Sequence, residues 1–240
     1  MMSERRLRKR AARRNQMLDA ALNIALEEGV ESLTIAKIAK SLDAAVGAIY
    51  RYFPSKAALL VGLQIQALDL FHSDMRAEHA AMKEALVSRG EDPETSPAGV
   101  LCQILGLIHS YLDDAERAPD RHRLIDALIS TPTPLLDAAG LEEVSNSLKR
   151  VLDIISAVLK GAESRGVLAP GDADQRTHVL WAATHGLDHF RKRDRIAPEN
   201  LKVRVLTDAT ASALLLGWGA EAQAIERAIE LCAETRGSRP

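Results

Sequence analysis

The chain has 240 residues, 47% of them hydrophobic and 27% charged, which is ample for a buried core in one large domain or in a small one plus a larger one. No apolar run approaches the ~18–20 residues of a membrane helix, and no apolar stretch follows the basic N-terminus as in a secretory signal, so a cytoplasmic protein with no membrane partner is expected. The net charge of −2 hides an asymmetry: residues 1–60 hold eleven Lys and Arg against six Asp and Glu, a charge of +5, and the remainder carries −7. That split suggests a basic module that meets a polyanion, joined to an acidic body.

Leu and Ala recur at 3.6-residue spacing and period-2 alternation never lasts, so the expected fold is all-α. Residues 1–14 form a basic arm in which "RRLRKRAARR" places seven cations between Arg5 and Arg14 with no acid. The first helix runs through "RRNQMLDAALNIALEEG", with Met17, Ala21, Ile24 and Ala25 on one face and Gly29 as its stop. Thr34 is placed to cap a short helix, "IAKIAKSL". After "DAA" a second short helix spans Val46 to about Tyr52, and Pro54 ends it. Ser55 caps a long helix whose apolar stripe is Leu60, Leu63, Ala67, Phe71 and Met75. A polar loop, 88–99, precedes helices at about 97–115 and 119–130, and "STPTP" (130–134) breaks the chain again. Further helices cover roughly 141–165 (ending at Gly166), 172–193 (capped by Asp172), 198–216 (opened by Pro198) and 220–235. Cys102 and Cys232 are far apart without metal-ligand spacing, so they read as free buried thiols, and no metal or cofactor is expected.

Two short helices joined by a tight turn, behind a longer supporting helix, make the helix-turn-helix pattern. Ile35, Ile38, Ala39 and Ile49 are expected to pack on Leu22 and Leu26. That leaves Ala45, Val46, Gly47, Ala48 and Arg51 facing outward, ready for a major groove. Three of the chain's few aromatic residues, Tyr50, Tyr52 and Phe53, cluster just beyond; Tyr50 and Phe53 are expected to close the mini-core.

The segment "SLTIAKIAKSLDAAVGAIYRYFPSKAALL", 32–60, resembles the N-terminal DNA-binding domain of the TetR family of transcriptional regulators. The Leu-Thr start, the Ile-Ala pair, the Tyr-x-Tyr-Phe cluster and the Ser-Lys-x-x-Leu-Leu exit are in register. The resemblance spans about the first 60 residues, and the rest matches in helical layout alone. It implies an N-terminal three-helix helix-turn-helix DNA-binding domain (15–54) followed by a helical ligand-binding and dimerisation domain (55–240). It also implies a homodimer on a palindromic operator in double-stranded DNA, with a small-molecule effector that shifts the spacing of the two reading heads. By the same resemblance, Thr34 and Lys37 touch phosphates, Ala45 to Ala48 face base edges, Tyr50 lies on the groove side, and Tyr52 and Lys56 hold the backbone.

Two positions depart from the pattern. The turn usually carries Gly then Val, where this chain has Asp43 and Ala44; Asp is among the few residues that tolerate the left-handed conformation. More consequentially, Ala45, Val46, Gly47 and Ala48 offer no hydrogen-bonding side chain, whereas direct readout relies on groups such as Arg or Asn. Specificity is therefore expected to lean on DNA shape, on Arg51 and on the arm, where Arg8, Arg10 and Arg13 suit a narrow minor groove. The plainer reading of the arm is a solvated tail.

In the acidic body, Val179, Ala183, Leu187 and Phe190 form one stripe and Leu201, Val205, Ala209, Ala213 and Leu216 another. Paired with their twins they give a four-helix dimer interface; the alternative is packing within one chain. Candidate effector contacts are Phe71, Met75, Ile104, Ile108, His109, Tyr111, Trp181 and His185, each of which also reads as core. His185 and His189 stand four apart, but no acid or cysteine completes a metal set in the sequence pattern. The expected function is a ligand-responsive repressor. The alternative is an architectural DNA-binding protein relying on its arm; an enzyme is disfavoured by the absence of a nucleophile–base or phosphate-loop motif.

Overall fold

The computed structural model describes residues 4–29, 32–130 and 138–237. Among them every regular element is helical: α1 Glu4–Glu28, α2 Ile35–Ser41, α3 Val46–Tyr50, α4 Lys56–Ser88, α5 Pro97–Arg117, α6 Pro119–Ser130, α7 Ala138–Ser164, α8 Ala173–Asp188, α9 Val203–Gly217 and α10 Ala222–Gly237. None of these helices is long and apolar enough to cross a membrane. The chain divides into two compact units, one built from residues 1–70 and 119–148 and the other from 71–118 and 149–240.

The first unit carries the three-helix core expected from the sequence. Met17, Leu18, Ala21 and Ile24 of α1 meet Ile35, Ile38 and Ala39 of α2, Ile49 of α3, Phe53, and Leu59, Leu60 and Leu63 of α4. Leu22 packs at the edge of this cluster, while the side chain of Leu26 lies outside the described residues. The boundaries follow local chemistry. Thr34 Oγ1 accepts a hydrogen bond from Lys37 N (3.2 Å) and starts α2. Ser55 Oγ accepts from Ala58 N (3.0 Å) at the head of α4. Asp43 has φ +46°, so the left-handed turn expected between α2 and α3 is present without glycine. Gly62 lets α4 approach α1 closely, because a Cβ there would lie 3.0 Å from Leu18 Cδ2 and 3.1 Å from Phe53 Cε1.

Residues 4–14, expected as an arm ahead of the first helix, are instead the opening turns of α1. Nothing in "RRLRKRAARR" breaks a helix, and Ala, Leu, Arg and Lys rank among the best helix formers. A bond from Arg8 Nη2 to Glu4 Oε1 (2.5 Å) spans one turn, and Arg13 donates to Gln16 (3.0 Å).

The second unit is built around α5, whose residues Ala98 to Leu112 are all buried. A helix buried on every side must be apolar or internally satisfied. Ser110 meets this by donating to Gly106 O (3.0 Å). α10 packs along α5, and α8 packs on α9. Cys102 and Cys232 are free and buried, with Cys232 Sγ 3.5 Å from Cys102 O. Asp172 caps α8 by accepting from Gln175 N (2.9 Å).

Two expected boundaries move. The helix expected over 172–193 ends at Asp188, and Arg191–Arg195 form a 3-10 turn. Arg191 explains the change: it donates to Asp188 Oδ1 (2.6 Å), to Leu112 O (2.8 Å) and to Glu116 Oε1 (2.7 Å), which folds the chain back against α5. The helix expected from Pro198 begins at Val203, after a short 3-10 turn at Glu199–Leu201. Its cap comes from upstream, since Asp194 Oδ1 accepts from Val203 N (3.0 Å).

Candidate functional site

The exposed edge of the first unit runs from the α2 N-terminus across α3 to the head of α4. Ala45, Val46, Gly47 and Arg51 are exposed and Ala48 is half-buried, so the face expected to meet DNA is solvent-facing. Gly47 has open space where a Cβ would stand, so the fold does not require glycine there. Thr34, Tyr50 and Lys56 are exposed and Lys37 and Tyr52 half-buried along the same edge. Lys37 also forms an ion pair with Glu28 at the end of α1. Both side chains are about half exposed, and such pairs contribute ~0–1 kcal/mol, little enough for a phosphate to compete.

The aromatic cluster divides by role. Phe53 is 1% exposed and sits in the core. Tyr50, expected to close that core with it, is 50% exposed. α3 is a single short turn, and Ile49 takes the inward position beside Tyr50, so the phenol points to solvent. The basic turns of α1 reach the same cluster. The Arg10 guanidinium lies 5.9 Å from the Tyr52 ring centroid, and that of Arg14 lies 5.2 Å from Phe53. Cation–π attraction of this kind holds ~0.5–1 kcal/mol at exposed sites, so the Arg-rich turns are attached to the helix-turn-helix edge.

This geometry matches known proteins. The family of bacterial regulatory proteins, tetR family, matches residues 17–63, the segment that holds the three-helix core and the exposed edge. That segment resembles the DNA-binding domain of TetR-family regulators. The chain's relatives include the HTH-type transcriptional regulator RutR of Escherichia coli, 26% identical over 86% of this chain and 88% of that protein. The HTH-type transcriptional repressor KstR of Mycolicibacterium smegmatis is 45% identical over 60 residues, 24% of this chain and 29% of its own length. The fatty acid degradation regulator FadR of Bacillus halodurans shares the fold with a TM-score of 0.60 at 18% identity, covering 85% of this chain and 98% of that one.

The second unit gathers some of the expected effector contacts. Phe71 and Tyr111 meet edge-on with ring centroids 6.1 Å apart. The Tyr111 hydroxyl and His185 Nδ1 are 2.7 Å apart, and Trp181 stacks on His185 at 5.8 Å. Met75, Ile104 and Ile108 are buried core residues. His109 is buried, with Nε2 2.6 Å from Asp208 Oδ1.

None of those eight lines the cleft that opens elsewhere in the unit. It has a volume of about 460 Å³ and lies among α4, the 89–96 loop, α5 and α7, with Arg76, His79, Lys83, Glu94, Gln103 and Arg165 as its polar lining. Gln103 is buried and its Nε2 donates to Pro93 O (2.5 Å), so its Oε1 faces His79 Nε2 at 2.8 Å. That fixes the proton on His79 Nε2 when the ring is neutral. Burial pushes the His79 pKa down, and nearby Lys83 adds to the effect against the opposing bond from Gln103. Arg76, His79 and Lys83 stand three and four apart on α4, a spacing that aligns them on one helix face and was the signal in the sequence.

Among the expected dimer residues, Val179, Phe190, Leu201, Val205 and Leu216 are exposed large hydrophobics, and Ala209 and Ala213 are exposed beside them. Ala183 and Leu187 are half-buried. Phe190 and Leu201 lie outside regular α-helix, in the turns that flank α8 and α9.

Proposed function

We propose that the chain is a homodimeric, ligand-responsive repressor that holds a palindromic operator through the edge formed by α2, α3 and the head of α4, and releases it when a small molecule binds the second unit. The observation that carries this reading is the exposed Ala45–Gly47 surface, with Thr34, Lys37, Tyr50, Tyr52 and Lys56 along the same edge. A bare helix face lets the backbone come close to the base pairs, where Val46 and the alanines touch thymine methyl groups. Thr34, Lys37, Tyr52 and Lys56 hold phosphates, which fixes register without reading sequence. Arg8, Arg10 and Arg13 extend the basic surface along α1, and the contact of Arg10 with Tyr52 supports their approach to the same DNA.

Dimerisation is assigned to the α8–α9 face. Exposed large apolar side chains at Val179, Val205 and Leu216, interleaved with Ala209, Ala213 and Gly186, fit a close helix–helix interface with a second copy. Release follows linkage: a ligand that weakens operator affinity binds less tightly to the operator-bound protein by the same factor. Because α4 begins at the DNA-facing edge and contributes its later turns to the second unit, it is the element that carries the shift.

A competition titration with full-length protein tests the reading. A palindrome from beside its own gene should outcompete bulk DNA by ~10³-fold or more. Equal affinity for both would support an architectural binder instead.

A further inference from the structure

The cleft in the second unit has a chemical character that narrows its occupant. Its lining carries three fixed cations, Arg76, Lys83 and Arg165, against one acid, Glu94. Glu94 is already shared: it pairs with Lys83 and accepts from Arg165 Nη2 at 2.6 Å. Asp92, the other nearby carboxylate, is committed to the loop, accepting from Glu94 N (2.8 Å) and Thr95 Oγ1 (2.6 Å). Arg76 makes no ion pair among the described residues. The cleft therefore holds an excess of positive charge that its own walls do not neutralise.

The remaining wall is aliphatic. Ile154, Ala157 and Val158 follow one another on α7 at helical spacing, and Val100 of α5 adds to them. Ile154 to Arg165 spans about 16 Å of helix, and Arg76 to Lys83 about 10 Å. The lining thus runs along two helices, with an aliphatic stretch of α7 that leads to Arg165 and the cations Arg76 and Lys83 on α4, and the volume lies within the ~300–1,000 Å³ of small-molecule sites.

We propose that this cleft binds an elongated organic anion, with a carboxylate or phosphate head on the Arg76–Lys83–Arg165 side and an aliphatic body along Val100, Ile154, Ala157 and Val158. The inference rests on the regulator reading above for its purpose, and stands apart from it as a binding site. Arg165 and Lys83 exchange part of their contact with Glu94 for the ligand head, while Arg76 gains a partner.

Isothermal titration calorimetry on the full-length protein tests it with three probes: decanoate, decyl phosphate and the neutral decan-1-ol. Binding of either anion at least about tenfold tighter than the alcohol supports the proposal, and the preferred anion identifies the head group. Arg76→Ala and Arg165→Ala should each weaken the anion about tenfold, the loss expected for one charge-assisted contact. Glu94→Gln removes the competing acid and should tighten the anion, a gain that a misfolded variant does not produce. Equal binding of the alcohol, no binding of any probe, or an unchanged affinity in Glu94→Gln overturns the proposal. Operator binding of the same proteins, followed by fluorescence anisotropy, separates the two readings. Intact operator binding without anion binding removes the cleft alone. Anion binding that leaves the operator complex unaffected keeps the site and removes its regulatory role.

Discussion

Phe53 and Tyr50 are three positions apart and chemically alike, yet the structure gives them opposite environments, and that difference has a measurable consequence. Phe53 is 1% exposed within the three-helix core, whereas Tyr50 is 50% exposed on α3. Replacing a buried Phe by Ala costs ~3–5 kcal/mol, and loss of the Arg14 contact adds to this. Whole domains are stable by only ~5–15 kcal/mol, so Phe53→Ala brings the DNA-binding unit close to unfolding. Exposed substitutions stay within ~0.5 kcal/mol, so Tyr50→Ala should leave the unit folded and weaken operator binding. Tryptophan fluorescence does not follow this unit, because Trp181 and Trp218 both belong to the other one. Amide hydrogen exchange does. Protection over α1–α3 should fall by ~10²-fold or more in Phe53→Ala, and by no more than about twofold in Tyr50→Ala. Equal loss of protection in the two variants, or full protection in Phe53→Ala, would refute the division of roles.

Substitutions at three backbone positions and at the half-buried His79 extend the test. Asp43→Gly should stabilise by a few tenths to ~1 kcal/mol and Asp43→Val destabilise by ~1 kcal/mol or more, read from denaturant midpoints, because φ is +46° there. Gly47→Ala should leave thermal stability equal or raise it by up to ~1 kcal/mol, since a Cβ meets nothing within 4 Å, yet lower operator affinity if the backbone approaches DNA at that point. Gly99→Ala should destabilise by ~1–3 kcal/mol in thermal melts, because its Cβ would lie 2.6 Å from the backbone oxygen of Asp92. The last of these predictions concerns pH. His79, facing Arg76, Lys83, Glu94, Gln103 and Arg165, has a pKa pushed down by burial. The unfolded chain therefore binds the proton more readily, and the contribution of His79 is present above the ordinary value near 6.5 and lost as pH falls through the lowered one. His79→Gln should flatten stability below about pH 6.5 relative to the parent, as measured by denaturant titrations across that range.

Much of the first unit was legible because short-range chemistry decides it. Thr34 and Ser55 cap helices where their side chains suit a cap, and Asp43 takes the left-handed turn that glycine usually fills. The α1 and α4 apolar stripes read from spacing are buried as expected. Illegible features arise from long-range contacts. Arg191 ends α8 through partners on α5 almost eighty residues away, and Asp194 caps α9 across a turn. Tyr50 differs from expectation because helical spacing cannot distinguish inside from outside on a helix as short as α3. The cationic cleft is not legible in the sequence because Arg165 and Arg76 are almost ninety residues apart and join only through the fold.

The central claim is that two copies of the α2–α3 edge read one operator. Hydroxyl-radical footprinting of the full-length protein on its selected DNA tests this most directly. The account predicts two protected half-sites related by a two-fold axis, centred about 10–10.5 base pairs or a multiple apart, both weakened together in Tyr52→Ala. A single protected patch, or uniform protection without a centre of symmetry, would contradict it.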